Sequence, residues 1–184
     1  MNKNIACILT DGFEELEMIA TVDILRRSGV NVHLYSLNDR VVLNSAHQIS
    51  ITNLYDFSKF DPNNYDGLFI AGGPQYLELS QNVNFLKTVK QFSTNDKYIG
   101  AICAAPTILG HLGLLKGKKY TCFSSMNENF GGEYLDKYFV RDGNLLTGKG
   151  PLASIEFALQ FVEMLCGKEK AEEIKKGSYY YCSK

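Results

Sequence analysis

Apolar and polar positions change rhythm repeatedly along the chain. Asn4 to Leu9 is a short apolar run that predicts a buried strand, and Thr10-Asp11-Gly12 breaks it. Glu14 to Arg27 carries helix formers and ends at Gly29, a suitable helix stop. Val30 to Leu37 alternates and predicts a second strand. Arg40 to Leu43 and Gln48 to Thr52 predict short strands around Ser45-Ala46-His47, and Asp56 to Asp66 reads as a loop. Gly67 to Ala71 predicts a buried strand ending at Gly72-Gly73-Pro74, and Leu77 to Phe92 predicts one helix. Tyr98 to Ile102 predicts a strand and Ala105 to Leu115 a helix. Lys119 to Phe123 and Tyr138 to Thr147, which turns at Asp142-Gly143, are expected to finish the sheet. Pro151 to Cys166 predicts a helix with Leu152, Ile155, Leu159, Val162 and Cys166 on its apolar stripe, opposite Glu156, Gln160 and Glu163. A charged helix over Lys168 to Lys176 precedes a tyrosine-rich tail.

Strand-helix alternation with short connections predicts an α/β fold, a mainly parallel sheet with helices on both faces. No repeat or linker divides it, so one domain is expected over 1–184. Such sheets bind ligands beyond the carboxyl ends of their strands. Three loops sit at such ends and should meet: Asp11 to Glu17, Gly72 to Pro74, and Cys103 to Pro106.

Composition narrows the function. The chain has 184 residues, 45% hydrophobic and 21% charged, with a formal net charge of -1. That near-neutral balance offers no electrostatic footprint for nucleic acid or anionic membrane. No apolar run approaches the roughly 18 residues of a membrane span, and the first residues do not read as a signal peptide. Five irregularly spaced cysteines without a CxxC suggest reduced thiols and a cytoplasmic setting.

Cys103 is the candidate nucleophile. A strand that turns sharply into a helix at one residue exposes that side chain, and the turn needs small neighbours two positions away. Ala101 and Ala105 meet that need, and Pro106 suits a first helical turn. A helix N-terminus favours a thiolate, which should lower the thiol's pKa. A buried cysteine packed as a small hydrophobe explains the same residues. His33 lies in a strand, His111 too far along its helix, and His47 in a loop, where it stays open as a partner. Metal-ligand spacing is absent. A carboxyl group is therefore the better partner. Glu17 shares a helix face with Ala20 and Ile24, which points it towards apolar packing, and burial raises a carboxyl's pKa. Glu14 and Glu15 are also placed to interact with the helix dipole. The amides of Gly72, Gly73 and Ala104 are candidate oxyanion donors, although Gly-Gly-Pro serves equally as a plain turn.

Gly12-Phe13-Glu14-Glu15-Leu16-Glu17, Ala71-Gly72-Gly73, Ala101-Ile102-Cys103-Ala104-Ala105-Pro106, and Gly148-Lys149-Gly150-Pro151 with Glu156-Phe157-Ala158 follow one another along the chain. Together they resemble the ThiJ/PfpI superfamily, in its DJ-one branch of protein deglycases and bacterial ThiJ-like proteins. The resemblance implies a flavodoxin-like sandwich and a homodimer. It implies a reactive Cys103, an acid at Glu17, and N–H donors at Gly73 and Ala104. It further implies glyoxalase or deglycase chemistry on 2-oxoaldehydes such as methylglyoxal or their protein adducts, without metal or cofactor. The same family includes redox sensors that use a cysteine sulfinate, and chaperones. Ala104 stands where the protease-like branch has histidine, which argues against peptidase activity. Phe123 stands where some deglycase relatives have histidine. His47 replaces an arginine that relatives supply from the opposing subunit, and Lys149 replaces a late arginine.

Overall fold

The computed structural model describes residues 3–180. Its elements are β1 (Asn4–Leu9), α1 (Glu15–Arg27), β2 (Asn31–Ser36), β3 (Leu43–Asn44), β4 (Ser50–Ile51), β5 (Tyr55–Asp56), β6 (Gly67–Ile70), α2 (Tyr76–Leu79), α3 (Val83–Thr94), β7 (Tyr98–Ile102), α4 (Ala105–His111), β8 (Lys119–Tyr120), β9 (Glu133–Tyr134), β10 (Phe139–Asp142), β11 (Leu145–Gly148), α5 (Ser154–Cys166) and α6 (Lys168–Gly177). Seven strands form the central sheet in the order β10-β11-β7-β6-β1-β2-β5. Every neighbouring pair is parallel except the β10–β11 hairpin.

Strand residues alternate between two cores. Ile5, Cys7 and Leu9 face one core with Val22 and Leu25 of α1 and Phe157, Phe161 and Val162 of α5. Ala6 and Ile8 face the other with Phe85, Val89 and Phe92 of α3 and Ile108 and Leu109 of α4. Because both faces are covered, central strands read as continuous apolar runs rather than alternating ones. The α/β sandwich expected from the sequence is the architecture observed.

Several local expectations are revised. The helix expected over Leu77 to Phe92 is two helices, because the Asn82 side chain accepts Phe85 N–H at 3.0 Å and caps a new start. The helix from Ala105 ends at His111 rather than Leu115, with left-handed Gly113 following. The expected loop over Asp56 to Asp66 begins in edge strand β5 and holds two 3-10 turns, capped by Asp56 and Asp61. Lys119 to Phe123 does not join the main sheet; β8 pairs instead with β9. A 3-10 turn over Pro151–Ala153 precedes α5 and puts Leu152 out of phase with it. Leu159 and Val162 of the expected stripe are buried together with Phe157, Ala158, Phe161 and Leu165, whereas Leu152, Ile155 and Cys166 are exposed.

Candidate active site

Parallel strands β1, β6 and β7 lie side by side, so the loops at their carboxyl ends meet. The β1–α1 and β6–α2 loops are stitched together by Glu14 N–H to Gly72 O at 3.1 Å and Gln75 N–H to Gly12 O at 3.1 Å. Cys103 occupies the turn from β7 into α4 with φ +65°, a left-handed backbone unusual for a residue with a Cβ. Its backbone is held from both sides. Cys103 N–H donates to Gly148 O at 2.9 Å, and Cys103 O accepts from Phe123 N–H at 2.8 Å. Ala101 and Ala105 are fully buried beside the turn. The strand-cysteine-helix geometry expected from the sequence is therefore present.

Glu17 reaches this turn from the first turn of α1. It is completely buried, and its Oε2 accepts Gly72 N–H at 2.7 Å. Its Oε1 has no partner among the described residues. Burial pushes the Glu17 carboxyl up to about 8, helped by the charge of Glu14 and opposed by the Gly72 amide and Cys103. Near neutral pH Glu17 is thus a carboxylic acid and can donate a proton.

The Cys103 thiol differs from the expectation of a lowered pKa. Burial pushes it up, as does any negative charge on Glu17, while the Gly73 and Ala104 amides pull it down. The α4 N-terminus is outweighed because the sulfur sits in a largely desolvated pocket beside a second acid. Protonated Glu17 removes the like-charge repulsion, and the pair then titrates as a unit.

The glycines divide their duties. Gly72 gives its N–H to Glu17, whereas the Gly73 and Ala104 amides point at sulfur. A Cβ on Gly72 would lie 2.7 Å from the Cys103 Cβ and 2.8 Å from Glu17 Oε2. Gly73 has φ +82°, and a Cβ there would lie 2.5 Å from Glu14 N. Close approach of acid and thiol therefore requires no side chain at either position.

His47 lies in the β3–β4 turn, largely exposed, with Nδ1 2.8 Å from Glu15 Oε1. Together with Glu14 these groups bring their donor atoms within 4.8 Å of one another, a gathering at the α1 N-terminus that sequence spacing did not reveal. Burial acts to raise the Glu15 carboxyl, but its own amide and His47 outweigh that and hold it below the usual range. Phe123 stays on the Cys103 side of the molecule. It lines an open, apolar groove of about 460 Å³ with Tyr138, Pro151 and Leu152. Sequence reasoning missed this groove because its walls come from three separate segments.

Of the other thiols, Cys7 is buried as its central strand predicts, whereas Cys166, placed by its spacing on an apolar stripe, is exposed at the end of α5. Burial pushes the Cys7 thiol up and the Cys122 thiol up to about 11. Cys182, expected from its place in the tail to rival Cys103 in reactivity, lies outside the described residues.

Comparison with known proteins gives a consistent picture. The sequence profile of the DJ-1/PfpI family matches residues 3–164. The chain is 34% identical to Protein dj-1beta of Drosophila melanogaster over 96% of this chain and 97% of that protein. It is 32% identical to a Caenorhabditis elegans protein named glutathione-independent glyoxalase DJR-1.2, over 89% and 88% of the two chains. Its fold superposes on the crystal structure of Drosophila DJ-1beta with a TM-score of 0.90 and 33% identity, covering 97% and 98% of the two chains.

Proposed function

The chain belongs to the DJ-1/PfpI family, and from that premise we propose that it is a cofactor-independent, cysteine-dependent glyoxalase or deglycase-type enzyme acting on 2-oxoaldehydes. The observation that carries this reading is a fully buried Glu17, proton-bearing near neutrality, set against a thiol on a strained turn. The glyoxalase name of one relative supports the substrate class.

The reactive form of the pair is a minor one-proton form, thiolate beside protonated Glu17; burial opposes it, and the Gly73 and Ala104 amides favour its charge on sulfur. The Cys103 thiolate attacks the aldehyde carbon of methylglyoxal, and the C=O electron pair moves to oxygen. Glu17 gives that oxygen its proton, leaving a hemithioacetal and a carboxylate. The carboxylate takes the proton from the former aldehyde carbon and returns it to the neighbouring carbon, while the hydroxyl proton passes from the first oxygen to the second through the enediol, forming a 2-hydroxy thioester. Water then attacks the thioester. Its proton goes to Glu17, its hydroxyl to the acyl carbon, and the thiolate leaves. The net reaction adds one water and yields lactic acid. Removing an oxyanion donor or acid of this kind costs roughly 10² to 10³ in rate.

The same residues support a second reading, a redox sensor in which a Cys103 sulfinate is held by the two amides and by the Glu17 proton. Leu16 and Ile19 on α1 and Leu152 and Ile155 at the start of α5 are exposed apolar residues on neighbouring helices, which supports a homodimer through this face. The single domain and a cytoplasmic setting belong to the same proposal.

Steady-state production of lactate from methylglyoxal without glutathione tests the enzyme reading. Turnover by the wild type, with loss of at least 10²-fold in Glu17→Gln and complete loss in Cys103→Ser, is expected. Absence of turnover in a folded wild type that still forms a peroxide-dependent sulfinate would replace the enzyme reading with the sensor.

A further inference from the structure

Glu14 precedes Glu17 by one helical turn. Its Oε2 accepts Glu17 N–H at 2.7 Å, so it is the N-cap of α1. Neutral serine or asparagine caps a helix as well as an acid does. What a glutamate adds here is charge, placed beside a buried carboxyl with few donors of its own. Glu17 Oε2 has the Gly72 amide, and Oε1 has no partner among the described residues. We propose that Glu14 is a positioning residue whose negative charge keeps the proton on Glu17, separately from its service as a helix cap. The proposal rests on reading Glu17 as the acid of the pair.

The surroundings isolate this effect. The titratable groups against Glu17 are Glu14 on its own helix and Cys103 on the β7–α4 turn, with the Gly72 amide from the β6–α2 loop. Helix α5, packed against α1, contributes no charged group to Glu17 among the described residues. Burial raises the Glu14 carboxyl above its ordinary value, against the amides of Glu17 and Leu16, which favour its charged form; Glu15 on α1 raises it further and His47 from the β3–β4 turn lowers it. Glu14 is only partly exposed, so its charge acts across protein more than across water. A like charge one turn away opposes ionisation of Glu17. Losing it lets the pair release its first proton at lower pH.

The test compares Glu14→Gln, which keeps an acceptor oxygen, and Glu14→Ser, a good neutral cap, with Glu14→Asp, which keeps the charge. Two readouts follow the pair without requiring turnover. One is the infrared C=O band of protonated Glu17, identified by its loss in Glu17→Gln. The other is the pH profile of Cys103 alkylation. Both neutral variants should move the carboxyl midpoint to lower pH by about one unit and the alkylation midpoint to higher pH, because ionised Glu17 opposes the thiolate, and Glu14→Asp should stay within a few tenths of the wild type. If either neutral variant retains the wild-type midpoints, the cap alone matters and the proposal is overturned. A shift of equal size in Glu14→Asp overturns it too, because the charge would not be its cause. A wild type without methylglyoxal turnover but with these shifts would sink the enzyme reading and leave this one intact.

Discussion

Replacing Glu17 with glutamine should change how stability depends on pH, and in a direction opposite to that of most acidic residues. The Glu17 carboxyl ionises at its ordinary 4.5 in the unfolded chain and at about 8 in the fold. Between those values the native protein keeps a proton that the unfolded chain has released. Raising pH through this window therefore favours the unfolded chain, at about 1.4 kcal/mol for each pH unit. The forgone stability is about 1 kcal/mol at pH 5, about 3 kcal/mol at pH 7 and close to 5 kcal/mol above pH 8. Glutamine is neutral throughout and retains a polar atom for the Gly72 amide. The free-energy gap between Glu17→Gln and the wild type should therefore widen in favour of the mutant from pH 5 to pH 8, by about 4 kcal/mol. All other titrating groups are common to both proteins and largely cancel in the difference. Urea unfolding of both proteins at several pH values, analysed by linear extrapolation with equal slopes, gives this gap directly. Two parallel stability curves would refute the argument, because they would mean that Glu17 ionises at the same pH folded and unfolded.

Four further outcomes follow from the same geometry. Cys103→Gly should match or exceed Cys103→Ala in stability by up to about 1 kcal/mol, reversing the usual order, because φ +65° suits glycine; thermal unfolding compares them. Gly72→Ala forces a Cβ against both Cys103 and Glu17 and should cost about 1–3 kcal/mol together with at least 10²-fold in turnover; normal turnover would place the acid and thiol farther apart than described. Phe123→His should raise methylglyoxal kcat several-fold by adding a proton carrier beside the Cys103 turn, with an unchanged kcat showing that Glu17 alone moves protons. Brief alkylation of the native protein should modify Cys103 and exposed Cys166 while sparing Cys7 and Cys122; peptide mass spectrometry that found Cys122 modified first would contradict its burial.

The central sheet and the Cys103 turn were legible because each is written in adjacent residues. Asn4 to Leu9 is too uniformly apolar for a half-exposed strand, and Ala101, Ala105 and Pro106 flank the cysteine where the turn demands them. The burial of Glu17 was also legible, since Ala20 and Ile24 mark its helix face. Features set by other parts of the chain were not. A 3-10 turn before α5 takes Leu152 off the helix and leaves it exposed, although its spacing fits the stripe. The raised Cys103 thiol depends on desolvation and on a carboxyl 86 positions earlier, so the local helix-terminus argument alone has the wrong sign. The pairing of Glu15 with His47 joins residues separated by the whole of α1 and β2. The split at Asn82 was visible in principle, because asparagine before an apolar-periodic segment is a helix-start signal.

The backbone of Cys103 is tied at its amide to the β10–β11 hairpin and at its carbonyl to the segment after β8. This makes the residue a fulcrum rather than a hinge. Oxygen atoms added to its sulfur cannot be absorbed by rotation of the main chain, because either tie would have to break. The reduced and oxidised proteins should share one backbone there, with slow amide hydrogen exchange at Cys103 and Phe123 in both. News of the sulfur's state has a route out of the pocket through the Glu17 side chain into the first turn of α1. That route passes half-buried Glu14 and buried Glu15 and ends at exposed His47, where a change of charge or contact can be read from outside.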